Sequence, residues 1–153
     1  MTSIVLACGN ALRGDDGIAL SLAHQLYGVI DDAETGIVCS HQWLPEQAED
    51  LSRAKLAVFI DASITVPEGE IRVQSVGMSQ EIAGATSHSV SPERLMTLAG
   101  DLFGAAPERA FLVTIGGSSF AHGSELSELV RMAIPKALQQ IRELLSDECV
   151  RVR

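Results

Sequence analysis

The sequence predicts an α/β fold: a three-layer sandwich in which a twisted, mostly parallel five-stranded sheet with one antiparallel edge strand carries helices on both faces. Three observations point there. Apolar runs at residues 4–7, 56–60 and 111–115, broken only by Thr114, are what strands buried on both faces require. Stretches between them place apolar residues at steps of three and four, the mark of a helix with one buried face. One connection, residues 64–69, is too short for a crossover helix, so the strand after it reverses direction. A length of 153 residues fits a single domain, 1–153, able to bury a core without disulfides or metal.

In chain order, residues 4–7 form β1, which ends at Gly9. A loop with glycines at 9, 14 and 17 leads into α1, residues 15–29, whose face is Ile18, Ala19, Leu22, Ala23 and Leu26. Residues 36–41 are β2, and Pro45 precedes a brief helix α2 at 46–51. Residues 55–61 are β3, an apolar run ending abruptly in Asp61. Residues 70–74 alternate polar with apolar, so β4 has one wet face; it is expected antiparallel to β3 at a sheet edge. Ser91 as N-cap and Pro92 as first residue open α3, and Gly104 stops it. Residues 111–115 are β5, closed by Gly116 and Gly117. The last helix, α4, carries Leu129, Val130, Ala133, Ala137, Leu138 and Ile141, with Pro135 expected to kink or split it.

Composition narrows the function. The chain is 46% hydrophobic and 20% charged, and no apolar run approaches the ~18 residues of a membrane span. A net charge of −9 disfavours nucleic acid and anionic membranes and favours a cation or a basic partner. The amino-terminal residues lack a basic leader region, and three scattered cysteines without a Cys-x-x-Cys fit reduced thiols; both place the protein in the cytoplasm.

Chemistry is expected where strands end, since ligands of open α/β sheets collect outside the strand carboxyl ends. Asp16 follows β1, Asp61 closes β3, and His88 lies in the loop before α3. Two carboxylates and one imidazole would leave a divalent cation positions open to a substrate donor, unlike a thiolate cage. Asp15 and Asp16 could instead complement the positive end of α1, the role favoured for Asp15. Asp61 resists so simple an account, because a carboxylate at the end of an apolar strand is partly desolvated. Cys8 reads as a small buried hydrophobe, and Trp43 as either core or cleft mouth.

The run Gly9-Asn10-x-Leu12-x-Gly14-Asp15-Asp16-Gly17 resembles the amino-terminal signature of the hydrogenase maturation proteases. Asp61 in Phe-Ile-Asp-Ala-Ser, His88 ahead of Ser-Pro-Glu-Arg-Leu, and Ile115-Gly116-Gly117 resemble later family motifs in order and spacing, so the likeness spans the chain. His41-Gln42-Trp43-Leu44-Pro45-Glu46 resembles the branch with His-Gln-x-x-Pro-Glu after β2. The resemblance implies an endopeptidase that removes a C-terminal extension from the nickel-loaded large-subunit precursor of a nickel-iron hydrogenase. It implies that Asp16, Asp61 and His88 bind nickel supplied by the substrate and serve catalysis, with no tightly bound cofactor of the enzyme's own. Gly9, Asn10, Asp15, His41 and Gln42 would then contact the substrate. Many members carry glutamate where this chain has the shorter Asp16, which would draw the metal closer to α1.

Two other classes compete. A phosphoacceptor receiver domain also places acidic residues after β1 and β3, but its acidic pair follows β1 directly, and Gly116-Gly117-Ser118 stands where its lysine belongs. A nickel-binding protein without peptidase activity would use the same three ligands. Nucleotide binding fits poorly, since the glycine loop matches neither phosphate-binding spacing and carries two aspartates.

Overall fold

The computed structural model describes residues 2–31, 33–79 and 90–151, with side chains to 146. The strands are β1 (Ser3–Cys8), β2 (Thr35–Ser40), β3 (Leu56–Ser63), β4 (Ile71–Ser75) and β5 (Arg109–Gly116). The helices are α1 (Ile18–Leu26), α2 (Gln47–Ser52), α3 (Pro92–Phe103) and α4 (Glu128–Arg151). The sheet order is β2-β1-β3-β5-β4, parallel except for β4.

Alternate residues of the central strands feed two cores, which is why these strands read as near-continuous apolar runs. Val5, Ala7, Val58, Ile60, Val113 and Ile115 pack with Ile18, Leu22 and Leu26 of α1 and Val130, Ala137 and Ile141 of α4. Ile4, Leu6, Ala57 and Phe59 face the opposite side, against Ala48 and Leu51 of α2 and Leu95, Met96 and Ala99 of α3. Trp43 belongs to this second core: it is 7% exposed and meets Phe59 edge-on, ring centroids 5.4 Å apart.

Two expectations need correction, and the edge strand lies where expected with a neighbour the spacing does not identify. The helix α1 begins at Ile18, after a tight 3-10 turn over Gly14–Gly17, because the Asp15 N–H is engaged by the Ser119 carbonyl at 2.8 Å instead of starting the helix. Strand β4 does run antiparallel to β3 along an edge, but it pairs with β5, which lies between them. The short connection crosses the end of β5, where the Gly69 N–H donates to the Gly116 carbonyl at 2.9 Å. Pro135 does not split α4, which runs on through it.

Ser91 caps α3 as expected, its hydroxyl accepting from the Arg94 N–H at 3.1 Å. Replacing Ser91 with Ala should lower stability by about 1 kcal/mol, read as a shift of the urea midpoint with unchanged slope. Among the described residues, no helix is long and apolar enough to cross a membrane.

Candidate functional site

The strand order fixes where a ligand can enter. The chain leaves β1 for β2 on one side and returns to β3 on the other, so a crevice opens above the carboxyl ends of β1 and β3. Cys8 ends β1, and the register that pairs Ala7 with Ile60 brings it beside Asp61.

The loop above β1 is held from within. Asn10 donates its N–H to Asp16 Oδ2 at 3.1 Å, and its own side-chain oxygen accepts from the Leu12 N–H at 2.9 Å. A Cβ at Gly9 would drive into the Asp16 carbonyl, so the close approach of these two backbones demands glycine. Gly14 takes φ +55°, and a side chain there would strike Ser124 and the Ser119 carbonyl.

Asp15 and Asp16 diverge in role. Asp15 is 0% exposed, and its carboxylate receives the backbone N–H groups of Ser127 at 2.7 Å, Ser118 at 2.8 Å and Ser119 at 3.1 Å. Burial pushes its carboxyl up, but these donors outweigh it and hold it below the ordinary range. Asp15 is therefore a clasp between the β1 loop and the β5–α4 connection, with no free surface for the substrate contact expected of it. Asp16 keeps partial exposure.

Asp61 has one backbone donor, Ala62 N–H at 2.8 Å. Burial pushes its carboxyl up to about 6, the Ala62 N–H counters in part, and the negative charge of Asp16 adds to the rise. Burial likewise drives the Cys8 thiol up to about 12, with Asp61 and then Asp16 contributing. The thiol donates to the His41 carbonyl at 3.4 Å. Cys8 is thus a protonated, buried neighbour of two carboxylates and no nucleophile.

Among the described residues, the ion pairs are Arg53–Glu49 and Arg72–Glu70, so neither Asp16 nor Asp61 has a cationic partner there. A buried carboxylate whose proton affinity is raised beside a second carboxylate, with no cation paired to either among the described residues, favours the approach of a cation to this crevice. No group of three metal-ligating side chains occurs among the described residues. His88, the third expected ligand, lies outside them.

His41 and Gln42 stand exposed on the rim after β2. The residue that holds this rim was not singled out from sequence: Gln47, 5% exposed, donates to Ser40 Oγ at 3.0 Å and accepts from the Leu44 N–H at 2.9 Å. A lone glutamine in a polar helix gives no warning of that bridge.

Known structures share this architecture. The hydrogenase maturating endopeptidase HybD from E. coli superposes with a TM-score of 0.72 at 22% identity, covering 97% of this chain and 94% of that one. The [NiFe] hydrogenase maturation protease HycI from Thermococcus kodakarensis KOD1 gives 0.72 at 19% identity, covering 95% and 92%. The hydrogenase 2 maturation peptidase from a Thaumarchaeota archaeon gives 0.71 at 24%, covering 95% and 99%. No protein-family model and no curated protein matches the sequence. At these identities the likeness establishes the fold over nearly the whole chain.

Proposed function

We propose that this chain is an endopeptidase that trims a C-terminal extension from the nickel-loaded large-subunit precursor of a nickel-iron hydrogenase, acting in the cytoplasm. The observation that carries this reading is the pair Asp16 and Asp61, two carboxylates without a cationic partner among the described residues, over the crevice between β1 and β3. The shared fold of structures named as maturation endopeptidases supports it. Nickel arrives as part of the substrate. Asp16 and Asp61, with His88 as third ligand, anchor the precursor through it and place the scissile bond beside the carboxylates. The metal polarises the scissile carbonyl or a water, and a carboxylate accepts the proton. Cys8, held as a thiol, takes no covalent part.

An all-parallel 2-1-3-4-5 sheet, the order of receiver-like folds, differs from this one, in which an antiparallel β4 lies outside β5. Nickel-loaded and nickel-free precursor offered side by side test the proposal. The shortened large subunit should form from the loaded precursor alone. Equal cleavage of both would mean that peptide sequence alone is read; nickel-dependent binding without cleavage would favour a carrier.

A further inference from the structure

A second groove opens directly from Asp61. It has a volume of about 330 Å³ and is lined by Asp61, Ser63, Thr65, Arg72, Gln74 and Thr114 among others. Strand register explains why these residues meet. Asp61 lies opposite Thr114 across β3 and β5, and Thr114 opposite Arg72 across β5 and β4, so the three form one row on one sheet face. Gln74 stands beside Leu112 in the next row.

Two strand spacings separate the backbones of Asp61 and Arg72, roughly 10 Å. That is about three residues of extended peptide. The groove therefore suits a short extended segment that begins at the carboxylates and crosses to the sheet edge. Hydroxyls of Ser63, Thr65 and Thr114 and the amide of Gln74 can satisfy its backbone. Arg72 is the one cation among the described residues of this lining, in a protein of net charge −9. Its tie to Glu70 is long, 3.4 Å, with both side chains close to half exposed, and so is readily exchanged for a better-aligned carboxylate.

The geometry points to Arg72 as a specificity-determining residue that receives a carboxylate of the precursor about three residues from its metal-bearing residue. This rests on the reading of the chain as a precursor-processing endopeptidase. The carboxylate is either an acidic side chain of the extension or the precursor's own C-terminus; a planar guanidinium matches both bidentately.

The test measures binding and cleavage of nickel-loaded precursor by wild type, R72Q, R72K and, as control, R53Q at the exposed residue that follows α2. R72Q should weaken binding by about tenfold or more, with the loss in turnover falling on KM. R72K should restore part of it, and R53Q should match wild type. Two altered precursors identify the source: one with an amidated C-terminus, one with the extension's Asp and Glu changed to Asn and Gln. The alteration that removes the carboxylate should erase the difference between wild type and R72Q. The proposal falls if R72Q binds as wild type does, or if neither alteration narrows the difference. Weakened R72Q binding without cleavage by any variant upholds the Arg72 contact and overturns the endopeptidase. Normal cleavage by both wild type and R72Q does the reverse, and failure of wild type to bind any precursor overturns both.

Discussion

Asp61→Asn should yield a protein that is more stable at neutral pH and inert toward nickel-loaded precursor. Burial and the charge of Asp16 raise the Asp61 carboxyl to about 6, so keeping it ionised at pH 7 opposes folding. An amide of the same shape removes that penalty. With allowance for the solvent that still reaches the group, the gain is about 1–2 kcal/mol, or roughly 2–8 °C in Tm for a chain of this size. The sign follows from a folded value above the unfolded one: the advantage is full above pH ~6 and fades toward pH ~4, where the wild-type carboxyl is protonated as well. Processing should fall more than about 100-fold, since a neutral amide neither neutralises nickel nor takes a proton. Thermal melts at pH 7 and pH 4, run beside the cleavage assay, check both halves. A variant that melts lower at pH 7, or that cleaves normally, would show Asp61 to be structural.

Asp15→Ala should do the opposite, damaging the fold first. Its carboxylate satisfies three backbone N–H groups in a site with no exposed surface, and truncation strands all three. The expected loss is about 3–5 kcal/mol. Wild-type stability should also carry an acid signature of this clasp. The Asp15 carboxyl titrates below its ordinary value, so its contribution is complete above pH ~4 and drains away as pH falls through the lower folded value. The Ala variant, lacking that group, should lose stability less steeply below pH ~4. Urea unfolding across pH 2–5 reads this slope, and parallel slopes would remove Asp15 from the account.

Strands β1, β3 and β5 were legible because burial on both faces leaves a signal that needs no partner to interpret. Asp16 and Asp61 were legible for a related reason: a carboxylate at the end of such a strand stands out locally. Asp15 was not, since its partners lie 103 to 112 residues away and nothing near it in sequence announces them. The neighbour of β4 was hidden for a similar reason, because β5 enters between β3 and β4 from later in the chain. Arg72 reads locally as one polar residue on the wet side of an edge strand, and only cross-strand register sets it in line with Asp61.

The clasp at Asp15 also orders events during synthesis. The glycine loop leaves the ribosome well before its anchor is complete, because the N–H of Ser127 that closes it is made 112 residues later. At ordinary elongation rates that gap lasts on the order of 10 s. Through that interval the nascent loop has its sequence but not its shape, and contacts of such long range make its closure a late step of folding.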